Sequence, residues 1–139
     1  MYSNEIKEEL QQKGIKNTRI KGILLKILKE SHSPIDANQL HKECEKESHV
    51  NLVSVYRTLK QFHEKKIVQE FLRNDGVIQY EYIRQGSNAH PHFQCEKCHN
   101  VICLDELGFD DALYFSNMAK HHKIHSINIT LNGVCERCL

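Results

Sequence analysis

The chain has 139 residues, 40% of them apolar and 27% charged, enough for one ordinary globular domain or two small ones sharing a short hinge. No stretch approaches the ~20 consecutive apolar residues of a membrane helix, and residues 1–12 are charged where a secretion signal is apolar, so a cytoplasmic protein without membrane contact is expected. A formal net charge of +1 excludes a uniformly basic nucleic-acid coat but not an uneven one, and residues 1–29 carry seven basic side chains against three acids.

Residues 5–13 predict a short helix stopped by Gly14. Asn17 and Thr18 are candidate caps of a second, in which Ile20, Ile23, Leu24, Ile27 and Leu28 recur at helical spacing with Lys21 and Lys29 outside the stripe. After the Ser33-Pro34 break, Asp36 followed by Gln39 reads as a capping box opening a third helix through Leu40 and Cys44. Ser48 or Asn51 caps a fourth, with Leu52, Val55, Leu59 and Phe62 on one face and Ser54, Arg57, Lys60 and Gln61 elsewhere. Residues 67–72 and 77–82 are β-prone and meet through Arg73-Asn74-Asp75-Gly76, whose Asp-Gly suits a hairpin turn. Helices followed by a hairpin predict a winged helix-turn-helix over 1–83, its fourth helix entering a DNA major groove by its N-terminal polar residues, Ser54 among them. The same pattern also describes helical domains that bind no DNA.

Residues 84–89 are polar and turn-forming, a hinge. Beyond it, residues 93–95 and 101–104 read as short strands, 109–121 as a helix, and 124–131 as a β-rich run closed by Gly133. This makes an α+β chain whose second part, 90–139, is too small to bury a convincing core alone and needs a staple or a partner chain.

Six cysteines and ten histidines without a secretion signal favour metal over disulfides. Cys95, Cys98, Cys135 and Cys138 form two CxxC pairs with 36 residues between Cys98 and Cys135. Four thiolates close a tetrahedral shell, so a structural zinc ion is expected; rubredoxin-like iron would use the same sulfurs, and four reduced buried thiols are the bland alternative. His90-Pro91-His92 precedes the first pair, and strand alternation puts the two imidazoles on one face with Cys95 elsewhere. Glu81, Cys103 and His32 are candidates to complete a second, regulatory shell drawn from both parts of the chain. An ion there would set the orientation of the two parts and so switch DNA affinity. Each residue also has a duller reading: Glu81 as a solvated strand residue, Cys103 as a small core hydrophobe, His32 as a cation at a helix C-terminus.

Four motifs, in order, resemble the ferric uptake regulator family: Gly14-Ile15-Lys16-Asn17-Thr18 with Lys21 and Ile23-Leu24-Leu25; Val53-Ser54-Val55-Tyr56-Arg57-Thr58-Leu59; His90-Pro91-His92-Phe93-Gln94-Cys95-Glu96-Lys97-Cys98; and Gly133-Val134-Cys135-Glu136-Arg137-Cys138. The resemblance covers essentially the whole chain. It implies a cytoplasmic homodimeric repressor of metal-uptake or metal-homeostasis genes, with a winged helix, a C-terminal dimerisation domain and palindromic operators bound when a regulatory metal is present. It also implies base contact by Tyr56, phosphate or guanine contact by Arg57, backbone contact by Lys16, structural zinc on Cys95, Cys98, Cys135 and Cys138, and sensing-site ligands at Glu81, His90 and His92.

The sequence departs from the family pattern at the sensing site. The acidic ligand expected five positions after Cys98 is Cys103, and the expected histidine falls near Ser33 or Pro34, leaving His32 out of register. An iron-sensing member, with Fe2+ as the regulatory ion, is the leading expectation; a thiolate at 103 biases the site toward Zn2+. The cysteine usual in zinc sensors is absent, Arg84 standing about where it falls, and Glu81 and Cys103 replace both aspartates of peroxide sensors. A zinc-sensing member and a peroxide- or thiol-sensing member, reporting through Cys103, are the alternatives. The glycine usual after the first CxxC is His99, and His125 is the nearest substitute for an accessory-site histidine. No enzyme is expected: a zinc hydrolase or deaminase on His90, His92 and a cysteine is the remote reading, and the HxE…PCxxC arrangement is absent.

Overall fold

The computed structural model describes residues 3–84 and 90–139. It divides into two units, one comprising residues up to Leu72 with Gly76–Ile83, the other Arg73–Asp75 with Arg84–Leu139. The hinge expected at 84–89 lies, Arg84 apart, outside the described residues.

The first unit holds helices α1 (Asn4–Gln12), α2 (Arg19–Glu30), α3 (Ala37–Glu45) and α4 (Leu52–Glu64). Side chains set three of the four starts. Thr18 accepts from the Lys21 amide at 3.3 Å, Asp36 and Gln39 form the reciprocal capping box at 2.8 and 3.1 Å, and Asn51, not Ser48, accepts from the Ser54 amide at 2.8 Å. The apolar stripes of the helices meet in one core in which Leu24, Leu25, Leu40, Leu59 and Phe62 are fully buried. Strands β1 (Ile35–Asp36), β2 (Val68–Leu72) and β3 (Ile78–Tyr82) form an antiparallel sheet in the order β1-β3-β2. The two-residue β1 is too short to leave an alternating signature in the sequence. With α3–α4 as the helix-turn-helix and β2–β3 as the wing, the unit is a winged helix. Tyr82 donates to the Glu9 carboxylate, and Lys29 lies 3.5 Å from Glu5 and 3.6 Å from Glu9, which ties α1 to α2 and β3.

The turn leading into α4 is held from α3. The Val50 amide donates to Glu45 at 3.0 Å, and His41 Nε2 lies 2.7 Å from the Val50 carbonyl, so both peptide groups of the residue before the Asn51 cap are fixed.

In the second unit, β4 (His92–Cys95) is central, antiparallel to β5 (Val101–Cys103) and parallel to β6 (Thr130–Gly133), and its described residues include the helix α5 (Asp111–Ala119). That helix is shorter than the 109–121 expected: Asp110 caps its start by accepting from the Leu113 amide at 3.1 Å, and Lys120 leaves helical geometry at φ +59°. The β-rich run expected from 124 becomes strand only at Thr130, because the partner strand β4 offers four residues of ladder and the pairing register uses them from His92↔Thr130 to Cys95↔Gly133. No helix among the described residues is long and apolar enough to cross a membrane.

Candidate metal centres and nucleic-acid interface

The parallel β4–β6 register explains how a 36-residue gap closes. Gly133 stands opposite Cys95, and the Glu96 amide donates to the Gly133 carbonyl at 2.8 Å, so Cys135 arrives beside the first CxxC pair. Gly133 packs against the Phe93 ring, which a Cβ there would meet in ordinary contact at 3.4 Å. The ligand atoms of Cys95, Cys98, Cys135 and Cys138 all lie within 4.8 Å of one another, and the sulfurs of Cys98 and Cys135 are 3.8 Å apart.

Backbone amides prepare the cluster for negative charge. The N–H groups of Lys97, Cys98 and Cys135 each donate to Cys95 Sγ at 3.4 Å, and these donors, that of Cys135 foremost, pull the Cys95 thiol down to about 6. Cys138 goes the other way. Its hydrogen bonds to the sulfurs of Cys135 and Cys98 push it up to about 12, the behaviour of a fourth thiol crowded among three when nothing offsets the charge. A dication reverses that balance, and four thiolates fill its tetrahedral shell. The donor set fits structural zinc.

One local strain accompanies the first knuckle. His99 adopts φ +63°, a left-handed conformation, and its amide donates to the Cys95 carbonyl at 3.0 Å. This is the position where the family pattern has glycine.

A second group of donors occupies the opposite face of β4, because His92 and Cys95 differ by an odd number of residues along the strand. His92 pairs with Cys103 in the β4–β5 ladder. The Leu104 amide donates to the Pro91 carbonyl at 2.8 Å and that of Cys95 to the Asn100 carbonyl at 3.0 Å, which makes His92–Cys103 a non-hydrogen-bonded pair with its side chains drawn close on one face. His90 sits beside them, its ring centroid 5.0 Å from that of His92. The ligand atoms of His90, His92 and Cys103 lie within 4.8 Å of one another. His92 is buried; His90 and Cys103 are partly so.

Glu81 and His32 belong to the first unit. Glu81 is partly buried on β3, opposite Gln69 on β2, whose side-chain amide lies 3.5 Å from its carboxylate. His32 is exposed in the bend after α2 and joins no metal-ligating group among the described residues.

The predicted DNA-facing residues also lie in this unit. Val55, Leu59 and Phe62 turn inward on α4, which leaves Tyr56 and Arg57 exposed and Ser54 partly so. Lys16 is exposed in the loop between α1 and α2. A groove of about 600 Å³ runs between the N-terminal half of α2 and α4, lined by Lys21, Ser54, Arg57 and Lys60 with Thr18, Gln61 and one acid, Glu64. In the sequence Lys21, Lys60 and Gln61 are polar-face residues of two separate helices, and the groove joins them into one surface in which three cations outnumber the Glu64 carboxylate.

Residues 12–132 match the sequence profile of the ferric uptake regulator family. The chain belongs to this family. The ferric uptake regulation protein of Bacillus subtilis (strain 168) is 29% identical over 140 residues, spanning 97% of this chain and 93% of its own length. The peroxide operon regulator of the same organism is 24% identical over 142 residues, spanning 99% and 96%. The crystal structure of the Vibrio cholerae ferric uptake regulator superposes with a TM-score of 0.73 at 24% identity, covering 92% of this chain and 98% of that one. A zinc uptake regulator complexed with zinc and DNA has a TM-score of 0.61 at 19% identity, covering 97% and 91%. The ferric uptake regulator family comprises metal-responsive transcription regulators, and the α+β fold with an N-terminal winged helix is theirs.

Proposed function

We propose that this chain is a homodimeric repressor that binds palindromic operators of metal-uptake or metal-homeostasis genes in the cytoplasm when its regulatory site is loaded. The observation that carries this reading is the pair of donor sets on opposite faces of β4, one of four thiols and one of mixed nitrogen and sulfur. The closed set of thiols suits a permanent staple, whereas a set with fewer protein donors from this unit suits an ion that comes and goes.

In this reading Cys95, Cys98, Cys135 and Cys138 hold zinc and stabilise the second unit, whose exposed Leu113, Tyr114 and Met118 give a second copy an apolar surface to cover. His90, His92 and Cys103 hold the regulatory ion, with Glu81 contributed by the first unit and His32 a weaker candidate. The regulatory ion, when bound, supplies a fixed positive charge that couples the two parts of the chain. Ser54 and Tyr56 read base edges from α4, Arg57 reads a base or a phosphate, and Lys16 takes the backbone. Lys21 and Lys60 extend that phosphate-contacting surface. The family's members are transcription regulators, and this chain's sites are read as binding sites and not as catalytic ones.

Affinity for an operator selected from a random duplex pool, measured with metal added and with a chelator, tests the reading. Binding that requires added metal is expected; absent or metal-independent binding contradicts it.

A further inference from the structure

The six cysteines occupy three settings. Four form the closed cluster. Cys44 is fully buried in the helical core of the first unit, where burial raises its thiol, and it serves as a small packing group. Cys103 fits neither. It is partly exposed, stands outside the helical core, and has its Sγ within 4.8 Å of the ligand nitrogens of His90 and His92.

We propose that Cys103 is a thiolate ligand of the regulatory ion and that it sets the metal class, making the site take a zinc-like dication in preference to Mn2+ or Fe2+. This rests on the reading of His90 and His92 as holding that ion and adds the selectivity of the same site.

The ladder gives the reason. Residues opposed in a non-hydrogen-bonded antiparallel pair have Cα atoms about 4.5 Å apart, so His92 and Cys103 present nitrogen and sulfur side by side from a backbone that neither can leave. Zinc bonds of about 2.0–2.3 Å put two donors of a tetrahedral ion roughly 3.5 Å apart, a spacing that small rotamer changes reach from the observed spread of within 4.8 Å. His90, two residues back along the same face, supplies a third donor. Two imidazoles and a thiolate, with the one Glu81 carboxylate that the proposed reading adds, are a four-donor zinc set, whereas Mn2+ and Fe2+ favour more numerous oxygen and nitrogen donors and no thiolate.

The test uses the full-length protein with its four-cysteine site filled by zinc, and Co2+ as the spectroscopic probe. About one equivalent of Co2+ is added to the wild type and to Cys103→Ser, with zinc content and helical circular dichroism measured to show that the closed cluster and the fold are intact. A sulfur-to-cobalt charge-transfer band is expected in the wild type and not in Cys103→Ser, which should bind Co2+ more weakly by about tenfold or more. In Cys103→Glu, which restores a ligand and so guards against a folding defect in the serine variant, the ratio of Zn2+ to Mn2+ affinity is expected to fall by about tenfold or more. Cobalt binding without the band, or an unchanged ratio in Cys103→Glu, overturns the proposal and leaves His90 and His92 as ligands. A protein that takes up no Co2+, Zn2+ or Mn2+ beyond the closed cluster overturns both the proposal and the reading beneath it.

Discussion

Gly133 lies opposite Cys95 in the parallel β4–β6 pairing, and this one register brings the two CxxC pairs together across 36 intervening residues. In the proposed reading the zinc staple and the β6 strand are one device: the pairing delivers Cys135 and Cys138, and a bound ion would hold the pairing. Cys95 is the member on which three amides converge.

Cys95→Ser is expected to lower zinc content by about one ion per chain and to unfold the second unit, because binding at such a site is coupled to folding. Metal analysis and dimer mass measure it. Full zinc content in a dimeric Cys95→Ser protein contradicts the staple.

The same amides predict a pH window. The Cys95 thiol is lowered from its ordinary 9.0 to about 6, so its thiolate favours the folded, metal-ready state above the unfolded value, and that contribution is lost as pH falls through about 6. Zinc content of the folded protein after equilibration with a chelator at a series of pH values should drop as pH falls through about 6, and content independent of pH across that value contradicts the role of these amides.

Much of the first unit was legible in the sequence because its signals are local. Asp36 and Gln39 form a capping box three residues apart, and the stripe through Val55, Leu59 and Phe62 fixes which face of α4 is buried without reference to the rest of the fold. The CxxC pairs and His90-Pro91-His92 carried the donor sets in the same way. What sequence left open depends on pairing between distant segments. The run from 124 has strand composition yet forms strand only where β4 offers a ladder, and the two-residue β1 exists because β3 lies beside it. The opposition of Cys103 and His92 is likewise a register property, invisible as spacing. His99 shows the converse case, a residue type that gave no warning of the left-handed backbone it occupies.

Glu45 is expected to support the start of α4 from α3. Its carboxyl is held below the ordinary range chiefly by the Val50 amide, then by His49 and His41. A depressed carboxyl stabilises the fold above its unfolded pKa and loses that effect as pH falls through the folded value. Glu45→Ala should therefore lower the thermal midpoint at neutral pH, with the difference from wild type shrinking in acid. An equal deficit at every pH contradicts the assignment.

Arg57→Ala is expected to cost about 1–3 kcal/mol of operator affinity if Arg57 reads a guanine, or to reduce the salt slope of binding by about 1 if it contacts a phosphate. Zinc content should not change, because Arg57 lies on the exposed face of α4 in the first unit while the thiol cluster lies in the second. Unaltered affinity and salt slope in titrations with labelled duplex would remove Arg57 from the interface.

The most direct test of the central claim is operator affinity with and without a regulatory ion, compared between wild type and His92→Ala, both retaining zinc at the four cysteines. Coupling between two sites in one protein typically amounts to about 5- to 150-fold in affinity. The account predicts tightening in that range for the wild type and none for His92→Ala. Equal tightening in both proteins, or none in either, contradicts it.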